Sequence, residues 1–302
     1  MYNVVASLLV LTFLAGSARA DDTSPSAPTR RDLLALAFPG WHPASLAEVP
    51  AGKPAIQRLR VPKVAWPFHG GIGDSTNQPR DIVKIAPLDV VRMDDTHAVL
   101  ATWALSSDDH RAAACDSYYC TYALGLYFFE WADAGWHLRK RMDVATSLDG
   151  SAAPASRVQM WPGRGAVLGI SQENCHGGDC VDRLQLLGLE TGRIGFRFGM
   201  ATGIYEGDRF SPDPCSEVVD PAYKPRPEEN YANVNCRLAH GQWQVDGDTL
   251  RVDIEESSRK AHDDPQGNPV LGKLRIQQRV VRLARQGSTL KVVDGKLPDY
   301  AL

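Results

Sequence analysis

The sequence predicts an all-β protein built from three or more four-stranded antiparallel meanders, propeller-like or β-sandwich, with disulfide-pinned loops. Three observations predict it. Apolar residues recur with a period of two, as on half-buried strands, rather than the 3.6 of an amphipathic helix. Turn signals rich in Gly, Asp and Pro separate the apolar runs at hairpin spacing. Six cysteines, an even number, fall in the stretches between hairpins.

The chain has 302 residues. Val4–Gly16 is an apolar run of about the length of a signal-peptide core, and Ala18-Arg19-Ala20 places small residues where a signal peptidase cleaves, so residues 1–20 read as a signal peptide. The apolar run is short of the roughly 20 residues a membrane span needs. Asp21–Arg31 is Ser/Pro/Thr-rich and cannot repay its ordering entropy, which predicts a flexible leader. Asp32 then caps a short helix, Leu33–Phe38, stopped by Pro39-Gly40. The rest, residues 32–302, reads as a single all-β domain. Val49–Pro87 is rich in Pro and Gly, with short strand-like runs at Ile56–Val61 and Ile82–Ile85.

From there a unit of hairpin, excursion loop and hairpin occurs three times, near residues 90–145, 158–200 and 242–295. The first hairpins are Val90–Met93 with His97–Trp103, Val158–Trp161 with Ala166–Ile170, and Gln242–Val245 with Thr249–Ile254. The second hairpins are Leu124–Trp131 with Trp136–Met142, Leu184–Leu189 with Ile194–Phe198, and Val280–Arg285 with Thr289–Val293, and their turns carry Gly135, Gly192 and Gly287. Trp136, Leu138, Lys140 and Met142 alternate with His137, Arg139 and Arg141, as do Leu250, Val252 and Ile254 with their charged neighbours. Ala123–Trp131, apolar on both faces except at Glu130, suits a central strand. Ser257–Pro269 reads as a charged loop, and the proline-rich insertion 205–240 as an irregular surface loop.

In an oxidising compartment the cysteines pair by default. Loop closure favours Cys115–Cys120, Cys175–Cys180 and Cys215–Cys236. The rival use is a metal or redox site. However, zinc sites favour two intervening residues where Cys115–Cys120 and Cys175–Cys180 have four, and an even count leaves no spare thiol.

The formal charge of −3 supplies no basic field for nucleic acid or an anionic membrane. No G-x-S-x-G elbow and no H-E-x-x-H is present, and His69-Gly70-Gly71-Ile72-Gly73 lacks the serine that would make it an oxyanion loop. Asp246, Asp248 and Asp253 could gather calcium, but without the EF-hand spacing they read as a hairpin turn. No cofactor and no metal is expected. Paired carboxylates leave no sequence trace, so Glu130, Glu173, Glu206 and Asp208 stand as acid–base candidates. The candidate binding residues are Tyr118, Tyr119, Trp161, His176, Tyr205 and Phe210, rings held on pinned loops or at turns. These features point to a periplasmic or secreted binding or inhibitor (immunity-like) module that recognises a protein or cell-wall glycan. The alternative is an envelope hydrolase with dispersed carboxylates on a propeller-like scaffold.

Overall fold

Strands alternate with turns of two to four residues and with longer excursions, and this rhythm generates three consecutive antiparallel meanders. The structure, a computed structural model, describes residues 26–41, 57–67, 79–106, 120–150, 153–176, 179–207, 211–226 and 229–300. The expected signal peptide, residues 1–20, lies outside them, as does the His69–Gly73 stretch.

The first meander is a five-stranded sheet in chain order: β1 (Gln57–Ala65), β2 (Pro79–Arg92), β3 (His97–Ser106), β4 (Cys120–Ala132) and β5 (Gly135–Gly150). The Pro/Gly-rich segment therefore supplies a full edge strand and the start of the next. The second meander is β6 (Ala155–Trp161), β7 (Gly165–His176), β8 (Asp179–Glu190) and β9 (Arg193–Glu206). The third is β10 (Asn235–Asp246), β11 (Thr249–Asp263), β13 (Arg275–Gln286) and β14 (Thr289–Asp294), with the short β12 (Pro269–Leu271) paired to β11. β9 pairs β10 from Arg237 to Ala239, so the second and third meanders are two leaves of one bent sheet rather than separately hydrogen-bonded blades.

Side-chain alternation explains the stacking. In β7, Ala166, Leu168 and Ile170 face the first meander and join Trp103, Leu124, Leu126 and Leu148 in one core. Val167, between them, faces the other way and joins Trp161, Phe196, Trp243, Val252 and Leu283 in a second core against the third meander. The second meander is thus buried on both faces. The first is too, because helix α1 (Arg30–Ala37) covers its outer face with Leu33, Leu34 and Ala37. Arg141 fastens the end of that helix: its guanidinium donates to the Ala37 carbonyl at 2.5 Å, lies over the Phe38 and Tyr127 rings, and donates to Asp143, which also accepts from the Tyr127 hydroxyl.

Four local readings are corrected. The helix begins at Arg30, inside the expected leader, because Thr29 and Asp32 form a reciprocal capping box in which Asp32 is the third helical residue rather than the cap. In the β4–β5 turn the left-handed residues are Asp133 and Ala134, at φ 49° and 59°, and not Gly135. Alternation along β5 breaks where Phe128 and Phe129 pair Lys140 and Leu138, since the extra residue, Arg139, sends Leu138 to the helix side and Met142 to the sheet side. Ser257–Asp263 continues β11 as strand. The insertion, for its part, holds a helical turn, α2 (Cys215–Val218), and a small core of its own built from Val218, Val219, Tyr231 and Val234 around Cys215 and Cys236.

Two disulfides close as spacing predicts: Cys175–Cys180, between directly paired residues of β7 and β8, and Cys215–Cys236, from α2 to β10. Cys115, and with it the expected Cys115–Cys120 pair, lies outside the described residues.

All three meanders point the same way. The short turns at 93–96, 133–134, 162–164, 191–192, 247–248 and 287–288 gather at one end, and the small core of α2 and both disulfides lie at the other. Contacts between layers tie the turns together. The Lys140 ammonium donates to the Gly192 carbonyl at 3.1 Å, and the Trp161 indole to the Gly247 carbonyl at 3.1 Å. Where β10 has left β9, the Gln159 side chain of β6 fills in: its amide donates to the Trp243 carbonyl at 3.2 Å and accepts from the Val245 N–H at 2.7 Å.

Candidate functional site

Between the turns lies a cleft of about 400 Å³, lined by Met93 and Asp94 of the β2–β3 turn, Gly163, Arg164 and Gly165 of the β6–β7 turn, Glu190 and Thr191 at the β8–β9 turn, and Arg285 of β13. Every meander contributes a wall.

Its rim is charged, and an aromatic pair lies beneath the arginines that line it. Trp161 and Phe196, both buried, meet edge to face with centroids 5.9 Å apart and planes at 82°. Each carries a guanidinium on its outer side: Arg164 lies 5.1 Å from the Trp161 ring centre and Arg285 lies 5.8 Å from that of Phe196. Glu190 then bridges two arginines, accepting from Arg193 Nε at 2.6 Å and pairing Arg285 at 2.5 Å. Burial raises the Glu190 carboxyl, but the hydrogen bonds from Arg285 and Arg193 outweigh it, and the net displacement is downward. Asp94 follows the same pattern. Burial pushes it up, while donation from the Thr96 backbone at 2.7 Å and the adjoining His97 ring at 2.9 Å brings it lower overall. Both carboxylates are therefore ionised at neutral pH, so neither is a proton donor there.

Trp161, expected at the surface, is 1 % exposed; its part in this site is to hold Arg164 rather than to meet a partner. Tyr205 sits on β9 opposite Cys180, half-buried against the core of the insertion at the far end. The His176 backbone pairs Asp179 beside the hairpin tip. Tyr118, Tyr119, Phe210 and Asp208 lie outside the described residues. Glu130 is 41 % exposed and pairs Arg139 at 2.8 Å, as a strand-end acid in water does. Glu206 stands 3.9 Å from Arg237. The calcium candidates do not gather, because Asp246 pairs Arg282, Asp248 pairs Arg164 and Asp253 pairs Arg251.

Glu173 has a different neighbour from any the sequence indicates. It lies directly across from Asp182, next to the Cys175–Cys180 pair on the same face. Half-burial raises the Asp182 carboxyl, offset in part by His240. Glu173 also groups with the two cysteine sulfurs at metal-ligand spacing, but those sulfurs are bonded to one another, and a disulfide sulfur is not a thiolate ligand.

Arg164 and Arg285 are the residues that sequence reasoning missed. The signal available was Arg164 in the turn after Trp161; nothing local joins Arg285 to it. No family model, no curated protein and no solved structure matches the chain. Among the described residues, no helix is long and apolar enough to cross a membrane.

Proposed function

We propose that the chain is an exported binding or inhibitor (immunity-like) module that recognises a protein or cell-wall glycan partner through rigid loops, with the cleft between the turns as its point of recognition. The observation that carries this reading is the pair of arginines stacked on a buried aromatic pair inside a cleft walled by all three meanders. Groups already held in place lose little freedom on binding, which is how a small contact gains affinity. The two closed disulfides suit an oxidising, extracytoplasmic location. The test is capture from an envelope extract of the source organism on immobilised chain without reductant. A single stoichiometric partner, displaced by free chain, is the expected result; no displaceable partner overturns the reading.

A second reading, an envelope hydrolase, draws on Glu173 and Asp182. They are carboxylates on directly paired residues of neighbouring strands, and burial raises the Asp182 carboxyl. It predicts an activity on wall glycan that Asp182→Asn abolishes while the fold is kept.

A further inference from the structure

The donors and acceptors of the cleft are unequally used. Asp94 Oδ1 accepts from Thr96 N at 2.7 Å, Thr96 Oγ1 at 3.0 Å and His97 N at 2.8 Å, and the His97 ring reaches both of its oxygens. Glu190 is occupied by Arg193 and Arg285 through both oxygens. Both oxygens of Glu190 and of Asp94 therefore already have partners within the protein. A guanidinium carries five N–H donors. Arg285 uses Nε on the Gly287 carbonyl at 2.9 Å and Nη2 on Glu190, and among the described residues its Nη1 makes no hydrogen bond. Arg164 is engaged through Nη2 alone, by a long 3.4 Å contact to Asp248, whose side chain is 91 % exposed. Exposed pairs of this kind are worth little and exchange readily. A cleft with spare donors and spent acceptors fits an anion.

From this balance we infer that the cleft docks a carboxylate of a partner polypeptide, an acidic side chain or a C-terminus, held by Arg164 and Arg285 with Asp248 displaced. The inference rests on the binding-module reading above and specifies the chemistry recognised. Two features select the ligand. The charged side chains lining the cleft balance, Arg164 and Arg285 against Asp94 and Glu190, so no surplus of positive charge favours a phosphate dianion over a monoanion. No aromatic side chain lines the cleft, Trp161 and Phe196 being covered by the arginines, so a sugar ring has no face to stack upon. The planar guanidinium fork is complementary to a carboxylate.

The probes are triglutamate, amidated triglutamine and trigalacturonate, titrated against the full mature chain with the arginine Nε resonances followed by NMR. Triglutamate shifts the Arg164 and Arg285 signals, and triglutamine does not. Arg164→Gln weakens triglutamate binding by about tenfold, Arg164→Lys by less, and Arg58→Gln, an equal charge change at an exposed position on β1, leaves it unchanged. Melting curves confirm that each variant is folded. Triglutamate binding that is absent, or unaltered by Arg164→Gln, overturns the inference, and preference for trigalacturonate overturns it in favour of a glycan. Repeating the capture with Arg164→Gln separates the two proposals. A partner retained equally by both chains leaves the binding function standing and removes the cleft, whereas no partner for the wild-type chain removes the function itself.

Discussion

At the turn end of the stack, six connections of two to four residues keep the strands in register, and polar groups are fixed by short hydrogen bonds and by stacking on rings. At the excursion end the chain leaves the sheets for long stretches and is secured by other means: a disulfide across the β7–β8 tip, a second from α2 to β10, a private core, and a polar knot in which the Tyr223 hydroxyl and the Arg226 guanidinium both donate to Asp213. The same sheets thus carry one end whose rigidity follows from strand register and one whose rigidity is added by crosslinks. A site built on register holds its shape whatever the redox state; a site built on the excursions does not.

The contrast is tested most severely at Glu256, where the core between the last two meanders meets the excursion end. Glu256 is buried and accepts from Arg237 at 2.9 and 3.2 Å, from Arg279 at 3.4 Å and from the Tyr300 hydroxyl at 3.1 Å. Glu256→Ala takes the counter-ion from Arg279 and leaves Arg237 only the more distant Glu206, at 3.9 Å, and is expected to cost about 3 kcal/mol in urea unfolding. Burial raises the Glu256 carboxyl, but Arg237, Tyr300 and Arg279 bring it below the ordinary value. Its contribution is therefore complete above the unfolded carboxylate pKa of about 4.3 and fades as pH falls through the folded value, so the variant loses less stability than the wild type on acidification. A loss under 1 kcal/mol at pH 7 would remove Glu256 as the anchor of that end.

Removing the disulfides sharpens the comparison. Cys215→Ser with Cys236→Ser is expected to cost about 3 kcal/mol, and Cys175→Ser with Cys180→Ser about 2 kcal/mol, in chemical denaturation. Both leave the arginine Nε resonances of the cleft in place. Movement of those resonances would show that the two ends are coupled. The smallest effect is a gain. Ala134 sits at φ 59°, where a β-carbon is unfavourable, so Ala134→Gly is expected to raise stability by about 1 kcal/mol in thermal unfolding.

The hairpins were legible in the sequence because their determinants are local: period-two alternation in Leu250–Ile254, and a Gly/Asp turn such as Asp246-Gly247-Asp248 between paired runs. The helix was legible but its start was not: Asp32 reads as the cap, whereas Thr29, counted with the polar leader, is the cap and Asp32 its reciprocal partner in the capping box. What local pattern does not carry is phase across a bulge, as at Leu138 and Met142, or which side of a strand end is covered. Trp161 precedes a turn and reads as exposed; the β10–β11 turn, distant in sequence, buries it. The cleft was illegible for the same reason. Arg164 and Arg285 meet only because the second and third meanders fold back on one another, and their meeting leaves no trace in either one's neighbours. Glu173 stands between these cases: it was among the acid candidates, but Asp182 was not, and bringing the two together needed the register of β7 against β8.

Gln159 has a bearing on how the molecule behaves among copies of itself. Past Ala239, β10 turns its backbone toward β6 instead of β9, and the Trp243 carbonyl and Val245 N–H are the donor–acceptor pair that an added strand would seize. The Gln159 amide presents both halves of a peptide group to them, occupying from within the slot through which sheets otherwise grow end on end. Together with the Arg157 guanidinium, which donates to the same Trp243 carbonyl at 3.1 Å, it joins the two leaves of the bent sheet without closing them into a barrel, and makes those two backbone groups unavailable to an incoming strand.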